Sequence, residues 1–127
     1  MLELTNTEQT IMKCIWDLDK DVTVADLLKS LKEKYKKDYA RTTISVFMSY
    51  LRDKGYVTYE KKSHAFIYRP LVSEEVYQKD LMRRYIEKNF DNSLIAFVEA
   101  VLKNEKPDET TCEELKKMIS QYEKAGA

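Results

Sequence analysis

The sequence predicts a mostly α protein with a small β-hairpin. Three short amphipathic segments come first, then one β-rich stretch, then three more helical segments. Two observations carry this reading. Apolar residues recur at three- and four-residue intervals everywhere except between Tyr56 and Tyr68, where β-branched and aromatic residues dominate. Only two glycines and two prolines interrupt the 127 residues, which favours long helices over many tight turns.

Thr5-Asn6-Thr7-Glu8 has capping-box spacing, so a first helix is expected to start there and run to about Asp19. It would bury Ile11, Ile15 and Leu18, with Trp16 on its flank. Thr23 is the next cap candidate, followed by Val24, Leu27, Leu28, Leu31 and Tyr35 on one face, the lysines pointing outward. After the polar break Lys36-Lys37-Asp38, Ile44, Phe47, Met48 and Leu51 mark a third helix. Lys54-Gly55 should end it, because glycine readily adopts the left-handed conformation that terminates a helix. None of these helices can bury its face alone, so they must pack on one another.

Tyr56-Val57-Thr58-Tyr59 and Ala65-Phe66-Ile67-Tyr68 read as two strands joined through Glu60-Lys61-Lys62-Ser63-His64. That is a hairpin with a basic tip, and Pro70 closes its second strand. Helix, helix, helix, hairpin is the order of a winged helix-turn-helix, assigned to residues 1–72. Helical signals resume at Ser73, Ser93 and Thr110-Thr111-Cys112-Glu113, with Pro107 breaking the chain before the last. Residues 73–127 are too few to bury much surface alone. Pairing with a second copy would solve this, which makes the segment a C-terminal helical dimerisation region. Leu81, Tyr85, Leu94, Phe97, Val98, Val101, Leu115 and Ile119 are its candidate dimerisation residues.

The 22 Lys/Arg balance 22 Asp/Glu, yet the charge is unevenly placed. Between Lys29 and Arg69 there are 11 basic residues against 4 acidic ones. A solvated helix face accounts for many of these lysines, so charge alone proves nothing. Position adds weight to it. With Ile44, Phe47, Met48 and Leu51 inward, the third helix presents Arg41, Thr42, Thr43, Ser45, Val46, Ser49 and Arg52. Short polar side chains let a helix approach base edges, arginine reaches guanine or phosphate, and valine meets a thymine methyl. Lys61 and Lys62 on the hairpin would meet phosphate, adding affinity without sequence information. The hairpin aromatics Tyr56, Tyr59, Phe66 and Tyr68 read as sheet packing rather than as a stacking platform for bases.

No catalytic constellation, glycine-rich phosphate loop, metal-ligand spacing or cofactor motif is present. The single histidine, His64, stands in a turn without partners, so no enzymatic activity is expected. Cys14 and Cys112 read as buried free thiols. No apolar run reaches the ~18 residues of a transmembrane helix, and Met1-Leu2-Glu3-Leu4-Thr5 does not read as a signal peptide. A cytoplasmic location without membrane insertion is expected.

Taken together, several stretches carry a family resemblance from about Leu4 to Gln121. They are Leu4-Thr5 through Glu8, Met12 and Ile15-Trp16, then Thr43-Ile44, Leu51 and Lys54-Gly55-Tyr56, and then Tyr68-Arg69-Pro70-Leu71-Val72-Ser73. Ser93-Leu94, Phe97-Val98 and Glu113-Glu114-Leu115 add weaker matches. In their order and spacing the chain resembles the penicillinase-repressor (BlaI/MecI/CopY) family of transcriptional regulators. The resemblance implies a homodimeric transcriptional repressor bound to a palindromic double-stranded DNA operator, with the third helix in the major groove. It also implies release by a signal-activated protease cutting within the dimerisation tail. The family's scissile bond precedes a phenylalanine aligned with Phe97, which makes Ala96-Phe97 the candidate cleavage site, with Ala96 in place of the family's asparagine. Ser45 and Tyr50 stand where family recognition helices often carry arginines, which implies a different operator. Cys112 stands alone, unlike the C-terminal cysteine motif of copper-responsive members. The alternative is a winged-helix protein-interaction (docking) module without sequence-specific DNA binding.

Overall fold

The computed structural model describes residues 1–126. Among them the elements run α1 (Asn6–Leu18), α2 (Val24–Tyr35), α3 (Arg41–Asp53), β1 (Val57–Lys62), β2 (Ala65–Pro70), α4 (Glu74–Asn89), α5 (Leu94–Glu105) and α6 (Glu109–Ala125). Ala127, the last residue of the segment expected to dimerise, lies outside the described residues. The chain divides into two compact units, Met1–Leu81 and Met82–Ala127.

In the first unit the helix starts are written in the sequence. The Thr5 hydroxyl accepts the Glu8 N–H at 3.2 Å, and the Glu8 carboxylate accepts the Thr5 N–H at 2.8 Å. Thr23 and Asp26 repeat the exchange at the head of α2, at 3.2 and 3.0 Å. Each reciprocal pair satisfies two backbone donors that a helix end would otherwise leave open. The helices then turn Ile11, Met12 and Ile15, Leu27 and Leu31, and Ile44, Met48 and Leu51 into one core, all of them buried. Each such side chain contributes about 1.5–3 kcal/mol of burial. Leu18, Val24, Leu28 and Phe47 pack at the edge of this core, only partly buried, and Tyr35 is exposed.

The end of α3 depends on Gly55. Its φ of +85° is left-handed, and beyond the glycine and its two chain neighbours no atom of the described residues stands within 4 Å of where a Cβ would lie. The Gly55 N–H donates to Arg52 O at 3.0 Å and the Tyr56 N–H to Leu51 O at 2.9 Å. These are the paired bonds of a Schellman motif, with buried Tyr56 and Leu51 as its apolar contact. The chain thereby enters β1 directly.

β1 and β2 pair antiparallel from Val57↔Pro70 to Lys62↔Ala65. The strands are longer than the sequence suggests, and only Ser63 and His64 form the turn. Ser63 takes φ 54°, the positive value that a two-residue hairpin turn demands at its first central position. Lys61 and Lys62 are therefore strand residues, not tip residues. A third contributor to the sheet carries no sequence signature. Val22, between α1 and α2, exchanges both backbone hydrogen bonds with Tyr68, at 3.0 and 2.8 Å. Beside it Arg69 grips Asp21 with two bonds, at 2.9 and 3.1 Å, and reaches Glu60 at 3.1 Å. The hairpin is thus fastened to the α1–α2 connection. Three helices, a strand contact between the first two and a terminal hairpin make a winged helix-turn-helix, and the hairpin is its wing.

The compact unit reaches past Val72 because the first turns of α4 complete the core. Tyr77 is buried, with its ring 5.3 Å from Trp16 and 6.0 Å from Tyr56. The Trp16 indole N–H donates to Val72 O at 2.9 Å, and Lys13 pairs with Glu74 at 2.6 Å.

In the second unit Ser93 caps α5 by accepting the Ala96 N–H at 3.1 Å. Helix α6 begins earlier than expected: Asp108, not Thr110 or Thr111, is its cap, accepting the Thr111 N–H at 2.8 Å. That backbone bond holds the Asp108 carboxyl below the usual range. Tyr85, Phe90 and Phe97 form an aromatic triad with centroids 5.5–6.2 Å apart. Asp91 and Asn92 are both left-handed in the turn between α4 and α5. Of the two thiols, Cys14 is buried and its burial pushes the thiol pKa up, whereas Cys112 is only half-buried, contrary to expectation.

Candidate nucleic-acid interface

Burial of Ile44, Met48 and Leu51 fixes what α3 shows to solvent. Arg41, Thr42, Ser45, Val46 and Arg52 are exposed, while Thr43 and Ser49 are half-buried. The Ser49 hydroxyl donates to Ser45 O at 3.3 Å, which folds it back against its own helix. Ala40 precedes α3 and offers no side-chain cap, unlike Thr5, Thr23, Ser93 and Asp108 before their helices. The first-turn N–H groups of α3 therefore remain open to an outside acceptor, next to the Arg41 guanidinium.

Residues 41, 45, 48 and 52 share one stripe of the helix by their spacing, and its part from Ser45 to Arg52 looks toward the wing. Ser45, Met48, Ser49 and Arg52 line one wall of a shallow groove, and Tyr59, Phe66 and Tyr68 line the other. The Arg52 guanidinium carbon lies 5.1 Å from the centre of the Tyr59 ring, with a guanidinium nitrogen 3.4 Å from Asp53. Burial pushes the Tyr68 phenol up, against the opposing charge of Arg52 nearby.

Strand pleating separates the two wing lysines. Tyr59, Lys61, Phe66 and Tyr68 occupy one face, and Glu60, Lys62 and Arg69 the other. Lys61 is thus on the α3 side, opposite Phe66, whereas Lys62 lies on the face where it acts electrostatically on Asp21. Neither they nor Arg41 has an ion-pair partner among the described residues. Other cations of the basic segment are occupied: Lys34 by Asp17, Lys54 by Glu8, and Arg69 by Asp21 and Glu60.

The wing aromatics divide unevenly. Tyr56 and Tyr68 are core residues as expected, but Tyr59 and Phe66 are 42% and 44% exposed. Strand alternation puts Tyr59 and Tyr68 on one face but does not say which of them reaches the core. Tyr50, on the side of α3 away from the wing, is half exposed with its ring edge on Phe47 at 6.1 Å.

The expected dimerisation residues fall into two groups. Leu81 packs against the core of the first unit. Phe97 and Leu115 are half-buried within the second, and Tyr85, Leu94, Val98, Val101 and Ile119 are exposed. Neither α5 nor α6 buries a single residue. Ile95 and Tyr122, apolar residues of the same helices that are not among the expected dimerisation residues, are 79% and 71% exposed. The Ala96-Phe97 bond lies within the first turn of α5, where the Phe97 N–H donates to Ser93 O at 3.1 Å.

Among the described residues no group of three or more His, Cys, Asp or Glu side chains is placed to hold a metal ion. No helix among the described residues is long and apolar enough to cross a membrane.

No curated protein matches the sequence. A solved structure similar to it is the solution structure of the Bacillus licheniformis BlaI monomeric form in complex with the blaP half-operator. The two share 24% identity over 60% of this chain and 89% of that one, with a TM-score of 0.48. The family model described as penicillinase repressor matches residues 4–121, which take in α1 through most of α6. The chain belongs to the penicillinase repressor family of DNA-binding transcription regulators, and is no enzyme.

Proposed function

We propose that the chain represses transcription as a homodimer that clamps a palindromic operator, with residues 1–72 as the DNA-binding domain and residues 73–127 as the dimerisation domain. The observation that carries the reading is the outward face of α3, small and polar, with an uncapped N-terminus beside Arg41, which has no ion-pair partner among the described residues. Thr42, Thr43, Ser45 and Ser49 permit close approach to the major groove, Val46 offers a methyl contact, and Arg41 supplies a base or phosphate contact. Arg52, Lys61 and Lys62 meet the backbone and fix register.

Dimerisation is supported by the apolar residues that α5 and α6 leave uncovered. Tyr85, Leu94, Val98, Val101 and Ile119 are all exposed, more apolar surface than so small a unit can enclose. Two linked half-site contacts bind far more tightly than one, because the second is held at high effective concentration. A signal-activated protease cutting at Ala96-Phe97 would remove that linkage. Since the bond is helical and Phe97 sits in the aromatic triad, cleavage requires the start of α5 to unwind first.

The test is a gel shift of the full chain on the promoter region of its own gene at two salt concentrations. Operator binding predicts a discrete complex that weakens steeply with salt. A confirmed dimer that shifts no promoter fragment even at low salt would overturn the proposal and favour the docking alternative.

A further inference from the structure

We infer that Tyr59 is a positioning residue for Arg52, holding its guanidinium at the mouth of the α3–wing groove for a DNA phosphate. The inference rests on the operator-binding reading above and deepens it.

Arg52 stands in the last turn of α3, on a long side chain that would otherwise sample many rotamers. Asp53, 3.4 Å away, competes for it along the helix surface. Tyr59 holds it on the groove side: the guanidinium carbon is 5.1 Å from the ring centre, the geometry of a cation–π contact. The ring is itself held, edge-on to Phe66 at 5.2 Å and tilted against buried Tyr68 at 6.3 Å. A guanidinium packed on a ring keeps its in-plane N–H groups free to donate, and these match a phosphate. The partner chemistry is legible in the rest of the groove. Lys61 lies on the same wing face as Tyr59, opposite Phe66, so two cations flank an exposed aromatic surface. A sugar–phosphate strand has the complementary order, anionic phosphates separated by apolar sugar faces. Core packing does not explain the arrangement, because Tyr59 and Phe66 remain more than two-fifths exposed.

The experiment uses the full chain and a short fluorescent duplex of mixed sequence, because a phosphate contact does not depend on sequence. Anisotropy titrations between about 50 and 200 mM salt would compare the wild type with Arg52→Ala, Tyr59→Leu, Tyr59→Phe and the Arg52→Ala/Tyr59→Leu pair. Arg52→Ala is expected to flatten the salt slope by about one phosphate's share, ~0.9 in log–log units. Tyr59→Leu should weaken binding about two- to fivefold, and Tyr59→Phe, which keeps the ring, should restore it. In the Arg52→Ala background the Tyr59→Leu change should cost nothing further. Tyr59→Thr, a strand former without a ring, replaces the leucine variant if thermal unfolding shows that variant to be destabilised. Additive losses in the pair, or a Tyr59→Phe variant as weak as Tyr59→Leu, would overturn the positioning role while leaving DNA binding intact. A wild type with no salt-dependent binding would overturn both readings at once.

Discussion

Replacing Lys54 with methionine should destabilise the winged helix by about 2–3 kcal/mol, and the reason lies in Glu8. Its carboxylate is buried, accepting from the Thr5 N–H at 2.8 Å and from the Lys54 ammonium at 2.6 Å, while Oε2 has no hydrogen-bond partner among the described residues. Lys54 also donates to Glu3 O at 3.0 Å, so one ammonium ties the head of α1 to the end of α3. Removing one member of a buried pair costs about 3–5 kcal/mol, since the other charge stays buried and uncompensated. The cost here falls to the bottom of that range or somewhat below it, because the Lys54 side chain is 27% exposed and water already shares the contact. Glu8→Gln should cost less, about 1 kcal/mol, because an amide oxygen can still accept the Thr5 N–H. Lys54→Met should then cost no more than about 1 kcal/mol in the Glu8→Gln background, as expected for residues that act as a pair.

The pH dependence follows from the same site. Burial acts to raise the Glu8 carboxyl, but the Lys54 ammonium and the Thr5 N–H and hydroxyl outweigh it and hold the pKa below its ordinary value. The stabilisation is therefore fully present above the unfolded-state value of about 4.3, and is lost as pH falls through the lower folded-state value. Glu8→Gln should remove that part of the acid sensitivity. Urea denaturation at pH 7 and at about pH 3, well below the unfolded-state carboxyl value, reads both effects through the single tryptophan, Trp16, which packs on Tyr77 within the same unit. A Lys54→Met loss below about 0.5 kcal/mol, the range of an exposed pair, would refute the reasoning. So would an acid transition unchanged by Glu8→Gln.

Four further outcomes are expected. Gly55→Ala should lower stability by about 1–2 kcal/mol through backbone strain alone, since φ is +85° and a Cβ would meet nothing, as thermal unfolding would show. Tyr77→Ala should cost about 3 kcal/mol by chemical denaturation, and a chain ending at Val72 should unfold more easily than one ending at Leu81, because Tyr77 completes the core. Arg41→Ala should weaken specific operator binding by about 1–3 kcal/mol if its contact is bidentate to a base; unchanged affinity would remove it from the reading set. Leu94→Asp or Val98→Asp should sediment as a monomer, and a variant still dimeric at low micromolar concentration would place the interface elsewhere.

What the sequence disclosed and what it hid divide along physical lines. Signals that act within one turn of helix were legible: the Thr5–Glu8 exchange, the Thr23 cap, the glycine stop at Gly55 and the spacing of Ile44, Met48 and Leu51. Contacts that join distant residues left no local trace. The Val22–Tyr68 bridge is a single residue pair, too short for any period, and Arg69 finds Asp21 only once the wing is folded. The hairpin turn was obscured because Ser63 takes a positive φ without glycine, and the charged run before it reads as loop when it is strand. The α6 start was misplaced because three capping residues, Asp108, Thr110 and Thr111, lie together after Pro107, and spacing alone does not choose among them. At the interface, periodicity found the outward residues of α3. Their engagement, with Arg52 on Tyr59 and Ser49 on its own helix, depends on packing between elements.

The most direct test of the account is a footprint on the promoter of the chain's own gene, with the wild type and Leu94→Asp compared at matched concentration. A dimeric repressor should protect two symmetric half-sites with centres about 10 base pairs or a multiple of that apart, and both should be lost together in the variant. A single unpaired protected site, or one that the monomeric variant protects equally well, would contradict it.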